Sequence, residues 1–223
     1  MQKKLILFII WSGSLLTTNS CGGVKNSKPI DIDGNVYNTV IIGDQEWTNE
    51  NIYVSRFNNG DLIVQAKTNE EWEEADDSGI PAWCYYQNME ENGKLYGKLY
   101  NWHAVNDSRG LAPEGWHIPN KDEWNELIDF LGGKEIAGSK MKSSNSSSVN
   151  DNEGLGSHFN GLLGGLRNAS GNFSGIVEHG YWWTSTESSE YHGNQVQLHK
   201  NSDETFIFSH YKGHGHSLRF VRD

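Results

Sequence analysis

Cysteine is almost absent from this chain: 2 in 223 residues. A fold held by several disulfides is therefore excluded, and packing must carry the stability. No apolar run is long enough to span a bilayer, which takes about 20 residues. The longest, Leu5–Leu16, stops well short of that. Positive charge is scarce as well. Without Lys3 and Lys4 the 18 basic residues fall to 16 against 29 acidic ones, a net charge near −13. Nucleic acid and anionic lipid surfaces are thereby excluded as partners. Proline numbers only 4 against 25 glycines, with 35% hydrophobic and 12% aromatic residues. That balance suits one globular domain, loop-rich and aromatic-rich rather than aliphatic and helical.

The first residues stand apart from that domain. Lys3 and Lys4 precede the apolar stretch, and residues 1–20 read as a secretory signal. Thr18-Asn19-Ser20-Cys21 then resembles the cleavage box of bacterial lipoproteins, although Thr18 and Asn19 depart from its stricter form. Cys21 is the expected lipidation site, and its several acyl chains would give stable membrane attachment. Gly22, where an aspartate would suggest inner-membrane retention, fits the outer membrane. Residues 21–30 make a tether and residues 31–223 the domain. With Cys21 lipidated, Cys84 is left without a partner.

Within the domain the most telling segment is Gly180–Ser189, GYWWTSTESS. Adjacent tryptophans on a strand point to opposite faces, so Trp182 and Trp183 require both faces to be covered. Ser217–Arg222 alternates apolar and polar residues as a half-buried strand does. Val36, Val40 and Ile42 follow the turn signal Asp33-Gly34 with the same alternation. Asn120 and Glu123 form a capping-box pair ahead of Trp124, Leu127, Ile128 and Leu131, one apolar helical stripe, and Gly132-Gly133 ends it. A short helix is expected around Leu99, Trp102 and His103. Residues 60–80 carry Glu70, Glu71, Glu73, Glu74, Asp76 and Asp77 without calcium-loop spacing, and read as a solvated loop. Lys142–Gly156 is Ser/Asn-rich and reads as a mobile surface loop. The glycine-dense stretch beyond it suits short strands, Leu162–Arg167 and Gly171–Phe173 among them.

Six motifs in order, DIDGNVYNTVIIGDQEWTNEN, LYNWHAVND, APEGWHIPNKDEW, GGLRNASGNF, GYWWTSTES and GHSLRFVRD, resemble the Fibrobacter succinogenes major paralogous domain. The resemblance covers about residues 31–223. It implies an α+β, C-type-lectin-like fold, akin also to formylglycine-generating enzymes. Such a fold has two main helices, a twisted antiparallel sheet joining the N- and C-termini, and long irregular loops. It also implies an exported, often lipid-anchored protein of Bacteroidetes or Fibrobacteres, with no activity common to the family.

The chemistry that the resemblance could bring is thin. Formylglycine-generating relatives use paired cysteines, and Cys84 is single. An oxidoreductase or hydrolase of that kind is the disfavoured alternative. Calcium-dependent lectins use a Glu-Pro-Asn-like and a Trp-Asn-Asp tripeptide. Here Ile118-Pro119-Asn120 is missing the carboxylate and Val105-Asn106-Asp107 the tryptophan. His210, His214 and His216 include only imidazoles, with no Cys or carboxylate at structural-site spacing, and read as polar loop residues rather than a metal site. No Gly-x-Ser-x-Gly elbow or phosphate loop is present. The expectation is a non-catalytic envelope lipoprotein without cofactor or metal, binding a glycan or an envelope protein. Its recognition surface is expected around Trp83–Tyr86 and the Ser-rich loop.

Overall fold

The computed structural model describes residues 27–143 and 158–223. The signal segment, Cys21 and most of the Ser-rich loop lie outside the described residues. The chain opens with β1 (Thr39–Ile42), β2 (Gln45–Thr48), β3 (Val64–Gln65), α1 (Asn69–Asp77), β4 (Ala82–Cys84) and α2 (Glu90–Tyr96). Next come β5 (Leu99–Tyr100), α3 (Trp102–Val105), β6 (Trp116–His117), α4 (Lys121–Phe130) and α5 (Ala137–Met141). The last part holds β7 (Gly164–Arg167), β8 (Phe173–Ile176), β9 (His179–Ser189), β10 (His192–His199), β11 (Thr205–Tyr211) and β12 (Val221–Arg222).

The α+β, two-helix C-type-lectin-like architecture implied by the resemblance is not the one adopted. Strand takes 34% and helix 21%, the strands form four separate sheets, and the class is mainly β. The longest described helix has ten residues. Glycine is the physical reason the helices stay short. Gly79, Gly97 and Gly132 follow α1, α2 and α4 at φ of +64°, +77° and +104°, conformations that stop a helix and that side-chain-bearing residues avoid.

The largest sheet has the order β1-β2-β12-β6, the next β11-β10-β9. In the first, Val221 of β12 pairs antiparallel with Trp47 of β2 and with His117 of β6. Only Val221–Arg222 of the expected C-terminal strand is regular. Nor is the segment half-buried: Ser217, Leu218, Arg219, Phe220 and Val221 are all at most 2% exposed. Its backbone is shared among neighbours, with Ser217 bridging β9, and Leu218 and Phe220 accepting from Ile52 and Thr48. Arg219 can be buried because its guanidinium donates to four acceptors. These are Asn51 Oδ1 (2.8 Å) and the carbonyls of Thr48 (2.7 Å), Phe159 (2.9 Å) and Asn160 (2.9 Å). Burial lowers its pKa, yet every donor direction used finds an oxygen, so the charge is tolerated without a carboxylate.

Trp182 and Trp183 are both fully buried, in different cores. Trp182 packs with Trp47, Trp124, Phe159, Val196 and Leu198. Trp183 packs with Tyr100, Trp102, Leu218 and Phe220. Their indole N–H groups donate to Asn51 Oδ1 and to the Tyr100 carbonyl, both at 2.8 Å. A third cluster gathers Trp72, Ala75, Cys84, Tyr86 and Leu99. Every tryptophan among the described residues is buried, so none serves as a surface platform.

α4 begins at the Asn120–Glu123 capping box and buries Trp124, Leu127 and Ile128 as its stripe requires. The acidic segment is not a loop. Thr68 and Glu71 form a second capping box, α1 follows, and Trp72 and Ala75 are buried while every α1 carboxylate except that of part-buried Asp76 stays outward. Val36 lies outside β1 and is exposed, bridging only Ile30.

Candidate functional site

The register of β9, β10 and β11 sorts their side chains onto two faces. Trp182, Val196 and Ile207 stand opposite one another, as do Trp183, Gln195 and Phe208, and Tyr181, Gln197 and Phe206. The Trp182 face is sealed against α4 and Trp47. The other face is covered at Trp183 and Gln195 but opens outward along β11, where Phe206 and Phe208 are 37% and 46% exposed. These two rings stack at 5.5 Å with planes 24° apart. Around them Gln197, His199, Asn201, Ser202 and Glu204 complete a cleft of about 400 Å³. Gln197 Nε2 lies 3.2 Å from His179 Nδ1, and His179 stacks on Tyr181. The site thus joins flat apolar rings to a ring of amide, hydroxyl, imidazole and carboxylate groups. Another hollow lies between Ile30–Ile32 and Ala112–Trp116. It offers no stacked rings, and Asp31 there is engaged by Asn35 and Tyr37.

Two positions beyond Phe208 on the same strand face stands His210. The turn after β11 returns His214 and His216 to it, so that one nitrogen from each ring lies within 4.8 Å of the others. The His210 and His214 rings meet at 4.0 Å. His216 is wholly buried, 4.2 Å from the Trp183 ring and stacked on Tyr181 at 5.3 Å. Burial, then the neighbouring imidazoles, holds its pKa well below the usual histidine range. Burial likewise pushes His214 down, to about 4, with His210 adding to the effect and Asp76 opposing it. His210 is lowered by burial and by His192. The turn that sets this geometry is clamped from outside. Trp72 Nε1 donates to the Gly213 carbonyl (2.8 Å), and the Trp102 amide donates to the Lys212 carbonyl (2.8 Å). A Cβ on Gly213 would fall 1.9 Å from an Asp76 oxygen, so any larger residue there must displace the Asp76 carboxylate. Asp76 is itself held by His103 at 3.0 Å.

The surface expected around Trp83–Tyr86 is largely core. Trp83 is 6% exposed, donates to the Ile63 carbonyl and lies under the Lys98 ammonium at 3.9 Å. Cys84 is fully buried, and burial pushes its thiol up to about 12, an inert group. Tyr86 is 5% exposed, and Tyr85 spends its hydroxyl on Tyr53 at 2.9 Å. Chain folding thus turns this aromatic run inward and leaves Phe206 and Phe208 outside. The run Phe206-Ile207-Phe208 is apolar at every position, so its sequence carries no signal for an open strand face.

These features define a mainly-β domain with one sealed and one partly open sheet face. The chain belongs to the Fibrobacter succinogenes major domain family, whose model matches residues 40–222. Comparisons with curated proteins and with solved structures gave no match. No helix among the described residues is long and apolar enough to cross a membrane.

Proposed function

We propose that this domain binds a glycan without transforming it, on the open face of the β9–β10–β11 sheet. The rest of the reading is the sequence's own: a lipoprotein of the outer membrane, anchored through Cys21. The observation that carries the binding role is the exposed stacked pair Phe206–Phe208 beside Gln197, Asn201, Ser202 and Glu204. Leaving two phenylalanine rings in water forfeits the burial that would otherwise stabilise the fold, and such exposure marks an interaction surface. Sugar rings present C–H faces that stack on aromatic planes and hydroxyls that need amide and carboxylate partners, which is the mixture found here.

A glycan screen with the purified protein tests the binding. Phe208→Ala is expected to weaken a hit about tenfold, roughly 1.4 kcal/mol, with the melting temperature unchanged. Binding indifferent to both Phe206→Ala and Phe208→Ala would move the ligand elsewhere. Detergent partitioning of wild type and Cys21→Ala tests the anchor, and equal release into the aqueous phase would remove it.

A further inference from the structure

We infer that His210, His214 and His216 form a binding site for a late first-row divalent metal ion, zinc foremost. The first ground is geometric. Three imidazoles brought together from β11 and the turn after it place a nitrogen each within 4.8 Å of the other two. Nitrogens around a tetrahedral zinc at about 2.0–2.1 Å stand roughly 3.3 Å apart, so modest side-chain rotations would draw the triangle closed.

The second ground is the state of the ring nitrogens. His216 is fully buried, and neither of its nitrogens has a protein hydrogen-bond partner of good geometry; the Gly215 backbone offers only a marginal contact. His210 Nδ1 and His214 Nδ1 are buried and unpartnered too. Buried polar atoms are nearly always satisfied, and three touching rings with orphaned nitrogens ask for a partner that can take one lone pair from each ring, the second His216 nitrogen then carrying the N–H. A cation between them accepts lone pairs from neutral imidazoles, and burial together with mutual repulsion keeps these rings neutral at pH 7.

Ligand chemistry then selects the ion. An all-imidazole set suits zinc, nickel or copper, whereas calcium and magnesium want oxygen. Among the described residues no carboxylate joins the triangle, so three protein ligands leave a coordination position for an exogenous group, as open zinc sites do. His210 and His214 are only half-buried, which leaves that position a way to solvent. The clamps on the turn, Trp72 on Gly213 and Trp102 on Lys212, hold the ligands before any ion arrives.

Untagged protein stripped with chelator, titrated with Zn²⁺ against a chromophoric competitor and with Co²⁺ under visible absorption, tests the site. One ion per chain is expected, with the intense bands of four-coordinate Co²⁺. His210→Gln and His214→Gln alter half-exposed rings and should fold as wild type by circular dichroism. Each should weaken Zn²⁺ binding by at least about tenfold and abolish the Co²⁺ bands. His158→Gln, at an exposed histidine outside the cluster, should change neither. A folded wild-type protein that takes up no stoichiometric Zn²⁺, or binding within about twofold of wild type in both cluster variants, would overturn the assignment.

Discussion

The two faces of the β9–β10–β11 sheet are made by the same three strands and have opposite fates. One carries Trp182, Val196, Leu198 and Ile207 and closes onto Trp47, Trp124 and Phe159. The other carries Tyr181, Gln195, Gln197, Phe206, Phe208 and His210, and is sealed only where Trp183 enters the neighbouring core. The period of two in a strand lets adjacent residues serve different masters. Side-chain choice decides the rest: aliphatic and indole groups pack densely, whereas amides, imidazoles and stacked phenyl rings hold a surface that keeps polar capacity. Stability and the proposed recognition are therefore separable by substituting next-door neighbours.

The sharpest separation is Trp182→Ala. It should cost about 3–5 kcal/mol and lower the melting temperature by roughly 6–20 °C. A thermal melt within about 2 °C of wild type would show that the sealed face is not a core. Arg219→Ala comes next, because it takes the guanidinium donors away from the carbonyls of Thr48, Phe159 and Asn160 in the interior. About 3 kcal/mol is expected, read as a drop in the denaturant midpoint at unchanged slope.

Acid should loosen the open face selectively. His214 ionises near 6.5 when unfolded and only at about 4 when folded, so the unfolded chain binds more protons between those values. Stability is then complete above pH 6.5 and lost as pH falls towards 4, by on the order of 3 kcal/mol for this group alone. His192 beside His210 and Asp76 beside His214 are the charges that face the cluster. His117 works with the opposite sign. Burial lowers its pKa, but the hydrogen bonds it donates to the Asp223 and Glu123 carboxylates outweigh that and raise it. Denaturant melts at pH 7 and pH 5 should show His214→Gln less acid-sensitive than wild type. Equal acid sensitivity would mean that the cluster is not the proton sink. The smallest stability effect is Phe206→Ala or Phe208→Ala, about 1 kcal/mol or less, because the two residues keep 37% and 46% of their surface in water. A large loss in melting temperature there would make the open face structural.

Local signals in the sequence were legible where one element settles its own fate. Asn120 and Glu123 announced α4, and the Trp182–Trp183 pair required two covered faces, which it has. The Thr68–Glu71 box announced α1 in the same language but was masked by the acidic residues around it. What escaped was decided at a distance. Phe206 and Phe208 look like core residues until the register with β10 shows that only Ile207, between them, faces the packed side. His210, His214 and His216 look like polar loop residues until Trp72, 141 positions away, pins the turn that gathers them. The lectin-like fold implied by the family resemblance failed for a related reason. Shared motifs mark residues such as Arg219 that satisfy distant backbone carbonyls, and they do not dictate how many strands surround them.

The buried run from Ser217 to Val221 also says something about time. The Phe220 amide donates its hydrogen bond to a residue 172 positions earlier, at the Thr48 hydroxyl. Closing so long a loop must come before the contact can stabilise anything, which slows folding and delays it until residues 217–221 have been synthesised. A nascent chain of this design remains unfolded while it is being made. The far-reaching arginine segment thus acts as a delay on folding.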